Sequence, residues 1–328
     1  MRRIVRNLIT CFAVLFMAAA PAFAADVPLS WEREWPNTDF GRTTVDLGEI
    51  LSGGPPKDGI PAIDDPTFVD VKDAEGLSDT EPVVGLVLGG EAKAYPLRIL
   101  TWHEIVNDTI GDTPVAVTYC PLCNASIVFD RRLDGQVLDF GTTGKLRYSD
   151  LVMYDRQTES WWQQFLGQGI VGEHAGRELQ MIPSRLESWS SFRERAPAGK
   201  VLVANQPGFR DYGRNPYAGY DSLAKPFLYD GEIPDGVPPM MRVVAVDDKA
   251  WSLPLLRQEG RIEYEDLVLT WREGQNSALD KSAIDEGRDV GNVVVQRRAG
   301  GNLVDVVHDV TFAFVFHAFR PGGTLYVP

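Results

Sequence analysis

The stretch VVGLVLGGEAKAYPL, residues 83–97, sets two short apolar runs on either side of Gly89-Gly90. A Gly-Gly spacer reverses the chain in a tight hairpin, because glycine tolerates the positive φ that a two-residue turn needs. A chain punctuated this way folds through short strands. The pattern recurs downstream. TPVAVTY (113–119) is the next strand, and SIVFDRRL (126–133) and QVLDFGT (136–142) flank Asp134-Gly135, a second hairpin signal. Two helices interrupt the strands. PLRILTWHEIVND (96–108) starts with Pro96, suited to a first helical turn, and its three- and four-residue spacings put His103 at the edge of the buried stripe. SRLESWSSFRER (184–195) opens on Ser184 and Glu187, a capping-box pair, with Leu186, Trp189 and Phe192 inward and Pro197 beyond its end.

An internal repeat organises these pieces. VLGGEAKAYPLR (87–98) aligns without gaps to AVDDKAWSLPLL (245–256), and VTYCPLCNAS (117–126) to LTWREGQNSA (269–278). In the second pair Thr118 and Asn124 recur as Thr270 and Asn276, whereas Cys120 and Cys123 become Arg272 and Gln275. The expected fold is β-rich (α+β): two tandem, diverged, similar β halves with short hairpins and a few helices. The expected domains are a signal peptide at 1–24, an extended lead-in at 25–60, a first β-rich half at 61–204, a linker at 205–221 and a second half at 222–328 without cysteines.

The signal peptide rests on Arg2, Arg3 and Arg6, an apolar run from Leu8 to Ala20, and the cleavage pattern Ala22-Phe23-Ala24. It places the product in the periplasm and removes Cys11. No later run approaches the roughly 18 apolar residues of a membrane span, so no membrane insertion is expected after cleavage. Removing 24 of 328 residues leaves 304, and the loss of three arginines moves the net charge from −14 to near −17. Such a surface argues against nucleic acid as a partner.

Cys120 and Cys123 are then the last two cysteines, beside four histidines, His103, His174, His308 and His317. The C-P-L-C spelling supports three chemistries. A redox dithiol would place its first Cys at a helix N-terminus, which lowers the thiol pKa, yet a strand hairpin follows here. A structural disulfide closing two intervening residues removes little unfolded-chain entropy. A metal knuckle presents two thiolates to one ion, with Asn124 able to take the left-handed conformation that glycine often fills. His103, on the helix before the strand that ends at Cys120, is the best third ligand, and His174, Met153 or Met181 could complete the set. Met153 alternates with Leu151 and Asp155 as a core residue would.

The remaining residues carry weaker signals. His317 interrupts FAFVFHAF (312–319), read as a strand, and His174 lies in an exposed turn. Trp161 and Trp162 point to opposite faces of a strand, so at least one is core. Asp150, Asp155, Arg156 and Glu159 suit a buried ion-pair network. The chain has no G-x-S-x-G, no H-E-x-x-H and no P-loop, so no nucleotide cofactor is expected.

At LTWHEIVND, VTYCPLCNASIVFDRR, FGTTGKLRYSDLVMYDRQTESWWQQF and IPSRLESWSSF the chain closely resembles an exported prokaryotic family known only as domain of unknown function 3179. The resemblance spans roughly residues 55–328. The family's usual C-N-S-A-I run stands here as Cys123-Asn124-Ala125-Ser126-Ile127, and the C-terminal run TFAFVFHAFRPGGTLY has less tryptophan than is usual there. The resemblance implies export but no activity.

The leading expectation is a periplasmic protein binding copper or zinc through Cys120, Cys123 and His103, with Glu104 or Asp108 orienting the site. A thiol–disulfide oxidoreductase using the same cysteines is the rival enzyme. A binding module with an inert disulfide, touching its ligand through Trp161, Trp162 or the tyrosine-rich linker, is the rival non-enzyme. The sequence assigns no catalytic residue, leaves turnover open, and names no small ligand or partner protein.

Overall fold

A computed structural model describes residues 27–233 and 235–328; the expected signal peptide lies outside them. The chain is β-rich with five short α-helices among the described residues: α1 (Leu29–Glu34), α2 (Leu97–His103), α3 (Trp189–Arg195), α4 (Leu253–Glu259) and α5 (Ala313–Phe319). No helix of the described residues is long and apolar enough to cross a membrane. The Gly89-Gly90 hairpin forms as expected, joining Pro82–Leu88 to Glu91–Pro96, and Asp134-Gly135 turns a small ribbon with both φ values positive.

The strands make five sheets of four or five strands. Two of them recur in connectivity. The hairpin 82–88/91–96 leads through α2 into the meander 105–110, 113–120 and 125–130. The hairpin 242–246/249–252 leads through α4 into 261–264, 267–272 and 292–299 in the same way. Each hairpin then gains an antiparallel strand on its first member (185–188, 309–312), a helix (α3, α5) and a parallel strand on its second (200–203, 324–326). The fifth sheet, 50–52, 140–147, 150–155, 161–163 and 168–171, has no counterpart in the second repeat.

The expected pair of tandem halves is nevertheless not what forms. A single apolar cluster joins Val84, Leu86, Tyr95 and Val117 to Val244, Trp251, Leu256 and Val295. Each hairpin–helix unit is too small to enclose its own apolar face, so each covers the other. The expected linker is accordingly packed: Asn215, Tyr220 and Asp221 are buried, and Asn215 N donates to Ser282 O at 2.8 Å.

Local boundaries also differ. The helix expected over 96–108, α2, stops at His103, because Glu104 takes φ 59° and the next residues enter strand 105–110. The expected capping box is absent: Arg185–Ser188 is a strand, and Ser188 itself caps α3 by accepting from Ser191 N. Glu187 instead pairs with Arg195. FAFVFHAF is largely α5, so His317 is helical and not on a strand. The lead-in is not extended. Trp31, Trp35, Phe40, Leu47 and Ile50 are buried in a cluster with Tyr154 and Trp161. Trp35 lies edge-on to Trp161 at 5.3 Å and to Tyr154 at 4.7 Å, with Lys57 Nζ 4.3 Å from its ring.

A buried tryptophan in such a cluster carries much of a segment's stability. Trp35→Ala is expected to cost about 3–5 kcal/mol in urea denaturation. A change below about 0.5 kcal/mol would mean that the lead-in does not belong to the folded unit.

Candidate functional site

Cys120 ends strand 113–120 and Ala125 begins strand 125–130, so Cys-Pro-Leu-Cys-Asn is itself the hairpin turn. Nested bonds from Cys123 N to Cys120 O and from Asn124 N to Pro121 O, both 3.2 Å, tighten it. Asn124 closes it at φ 51°, the left-handed conformation expected of it. Two side-chain bonds then tie the turn to strand 309–312 of the second repeat. Asn124 Nδ2 donates to Val310 O at 2.7 Å, and Thr311 Oγ1 donates to Cys123 O at 2.7 Å. Both cysteines are free thiols and almost wholly buried.

A second turn faces them. Strands 140–147 and 150–155 are joined by Tyr148-Ser149 alone, with φ 52° and 67°. Two left-handed residues at a two-residue turn are usually Asn-Gly; a bulky Tyr-Ser pair stores strain there. The turn brings Ser149 O to 3.8 Å from Cys120 Sγ and 3.6 Å from Cys123 Sγ. It also places Asp150 so that one carboxylate oxygen and both sulfurs lie within 4.8 Å of one another. Asp150 Oδ2 accepts from Gln163 Nε2 at 2.6 Å and Phe165 N at 2.9 Å. Its Oδ1 is buried with no hydrogen-bond partner among the described residues.

The site is acidic and buried. Burial pushes the Asp150 carboxyl up to about 6. Glu104, also buried, is pushed up to about 8, first by desolvation and then by Asp150. Burial raises both thiols as well, and the charge of Asp150 adds to it. Tyr217 and Tyr220, from the segment expected to be a linker, are raised by burial with the cysteines contributing.

His103 does not join this group. Its Nδ1 lies 2.7 Å from Pro61 O and so carries the proton, while Nε2 lies 2.8 Å from the Tyr212 hydroxyl and accepts from it. The ring stacks on Phe209 and Tyr212, and burial lowers its pKa. Nδ1 is committed to Pro61 and Nε2 to Tyr212, which pins segment 205–221 onto α2, and Asp150 rather than His103 stands beside the thiols. Asp108 is also elsewhere, paired with Lys93 and with the Tyr95 hydroxyl. Glu104 does adjoin the cluster. Met153 is core, and the His174 ring tilts against Trp162 and is not freely exposed. Trp161 and Trp162 are both fully buried, which removes them as a binding platform. Asp150 was visible in the sequence only as one acid among several, since Tyr-Ser does not advertise a turn. Glu104 carried a weak signal, standing beside the histidine on a helix near its end.

The fold and site thus define a β-rich protein with a buried thiol–carboxylate cluster on two facing turns. The chain belongs to the family described as protein of unknown function (DUF3179), whose model matches residues 57–323. No curated protein and no solved structure matches the sequence.

A buried carboxyl with a raised pKa stabilises the fold at low pH and loses that contribution as pH rises from the unfolded value, near 4.3, toward the folded one. Glu104, at about 8, therefore lowers stability across pH 5 to 8, by an amount on the order of a few kcal/mol. Glu104→Gln is expected to flatten the decline in Tm over that window. Parallel wild-type and variant curves would show that Glu104 ionises in the folded protein as it does in water.

Proposed function

We propose that Cys120, Cys123 and Asp150 hold one transition-metal ion, zinc or copper, in a protein exported to the periplasm. The observation that carries this reading is Asp150 Oδ1, a buried oxygen without a partner beside two free thiols. A buried carboxylate with one oxygen left to the thiols beside it is costly, and a coordinating cation offsets that cost. The donor separations suit the reading. Around an ion with bonds of about 2.0–2.3 Å, neighbouring donors sit roughly 3.3–3.8 Å apart, inside the 4.8 Å that bounds these three atoms. Thiols raised by burial become thiolates only if a cation replaces their protons. Three protein ligands leave a fourth position, the pattern of catalytic rather than structural zinc. Two soft sulfurs suit copper(I) equally. Glu104 stands beside the ligands, where an outer group modulates charge. The five sheets, in number and size, match propeller blades, and we assign the frame to that architecture.

A thiol–disulfide oxidoreductase is the second reading. Its support is that both sulfurs lie in one tight turn beside a carboxyl that could accept a thiol proton. Raised thiol pKa values and the lack of a helix at Cys120 weigh against it.

Cadmium titration with thiolate charge-transfer absorbance separates the two. One equivalent per chain is expected for the reduced wild type, with loss of the band in Cys120→Ser and Cys123→Ser. Asp150→Asn is expected to weaken binding at least tenfold, and His103→Ala to leave stoichiometry unchanged. A wild type that takes up no cadmium, and that isolates with a Cys120–Cys123 disulfide, would replace the metal reading by the redox one.

A further inference from the structure

A cleft of about 650 Å³ opens on the second repeat, between α4, the residues leading into strand 242–246 and the loop before strand 292–299. The volume lies within the roughly 300–1,000 Å³ typical of small-ligand pockets. Its lining is of two kinds. Met240, Met241, Leu253 and Pro254 are apolar, and Arg242, Arg257 and Arg288 are cationic. A guanidinium stays charged throughout the physiological range and can only donate, so residue type alone fixes the polarity of these groups.

The three arginines differ in what they have left to give. Arg288 is engaged: its Nη1 lies 2.7 Å from Asp280 Oδ1 and 3.0 Å from Asp221 Oδ1, and its Nη2 2.9 Å from Asp221 Oδ2. Arg242, only 8% exposed, is engaged through one nitrogen. Its Nη2 donates to Asp221 Oδ2 at 3.0 Å and to Ser277 Oγ at 2.8 Å. Its Nε is buried with no partner among the described residues, and its Nη1 makes no hydrogen bond with them either. Arg257 is exposed on α4 and pairs with no carboxylate of the described residues. Its guanidinium carbon lies 5.2 Å from the Trp271 ring centroid, and Trp271 Nε1 donates to Val290 O at 3.1 Å across the cleft lining. One indole thus positions both the free cation and the loop beside it. Asp289, the acid of the lining, is met by backbone donors. Its Oδ1 accepts from Gly291 N at 2.8 Å and Gln275 N at 3.3 Å, and its Oδ2 from Gly274 N at 3.0 Å. The open donors therefore belong to Arg242 and Arg257. A buried N–H left without an acceptor is costly, and an anion in the cleft would remove that cost.

We propose that this cleft binds a small organic carboxylate with an apolar body, its carboxylate held by Arg242 and Arg257 and its body beside Met240, Met241, Leu253 and Pro254. The planar carboxylate matches the planar fork of a guanidinium. A single negative charge suits the site, because Asp221, Asp280 and Asp289 already offset much of its positive charge. Two adjacent methionines give the apolar part a surface that adapts to its shape. The cleft lies in the cysteine-free repeat, so the proposal stands apart from the metal reading.

The test uses the full mature chain and titration calorimetry with hexanoate at neutral pH, where the probe is ionised. Saturable binding near one equivalent is expected. Hexan-1-ol has a similar body and no charge, and is expected to bind at least about tenfold more weakly, the value of a hydrogen bond to a charged group. Acetate, which lacks most of the body, is expected to be weaker by at least about tenfold as well. Inorganic phosphate is expected to bind more weakly than hexanoate. Arg257→Gln, an exposed change that leaves the buried ion pairs alone, should lower hexanoate affinity at least about fivefold and leave hexan-1-ol unchanged. The unchanged alcohol shows that the cleft is still folded. Arg261→Gln, an exposed arginine on strand 261–264, removes the same charge away from the cleft and should leave hexanoate binding unchanged. The proposal is overturned if hexanoate shows no saturable binding, or if hexan-1-ol, acetate or phosphate binds as tightly. It is equally overturned if Arg257→Gln weakens acid and alcohol alike, or acts no differently from Arg261→Gln.

Discussion

Mutual burial of two hairpin–helix units is the constraint on which the rest of the molecule depends. Neither unit has enough apolar area to close around itself, and the shared cluster of Val84, Leu86 and Tyr95 with Val244, Trp251 and Leu256 resolves that for both. The contacts are reciprocal. Strand 125–130 of the first repeat lies against 309–312 of the second, and 185–188 of the first lies against 292–299 of the second. The thiol turn sits at one of these exchanges. Thr311 and Val310 grip Cys123 and Asn124 from across the repeat boundary, so the geometry of the sulfurs is set by residues almost two hundred positions away.

The site is made by facing two buried turns. One turn is relaxed: Asn124 adopts a positive φ at little cost. The other is not. Tyr148 and Ser149 hold left-handed conformations that their side chains disfavour, and the surrounding sheet must enforce them. The result is a concentration of acids whose neutral forms are favoured by burial. Two thiols, Asp150 and Glu104 all have pKa values raised by the same burial. Desolvation on this scale pushes thiols in the direction opposite to that of a reactive redox thiol, which a lowered pKa activates.

The local features of this fold are legible in the sequence. Gly89-Gly90 and Asp134-Gly135 announce their turns because only certain residues take positive φ cheaply. The repeat is legible for a related reason: a hairpin followed by a proline-led helix has a fixed grammar of turn, alternation and cap. The cysteine turn and the role of Asn124 follow from the same logic. What is not legible depends on tertiary context. Tyr148-Ser149 turns because strands on both sides force it, so Asp150 cannot be placed beside the thiols from spacing alone. His103 lies on the expected helix and is pinned by Pro61 and Tyr212, a pairing 109 residues long that no periodicity predicts. The lead-in and the segment 205–221 look like connectors by composition, yet both are drawn into cores by a few aromatic residues.

One bond joins the outer rim to the inner chemistry. Ser149 Oγ donates to Phe227 O at 2.5 Å, and the carbonyl of the same Ser149 faces both sulfurs. Phe227 is half exposed and lines a cleft with Glu104, Tyr217 and Tyr220. The strained turn is thus bonded through its side chain to the protein surface and faces the sulfurs through its carbonyl, so one residue spans the distance between them.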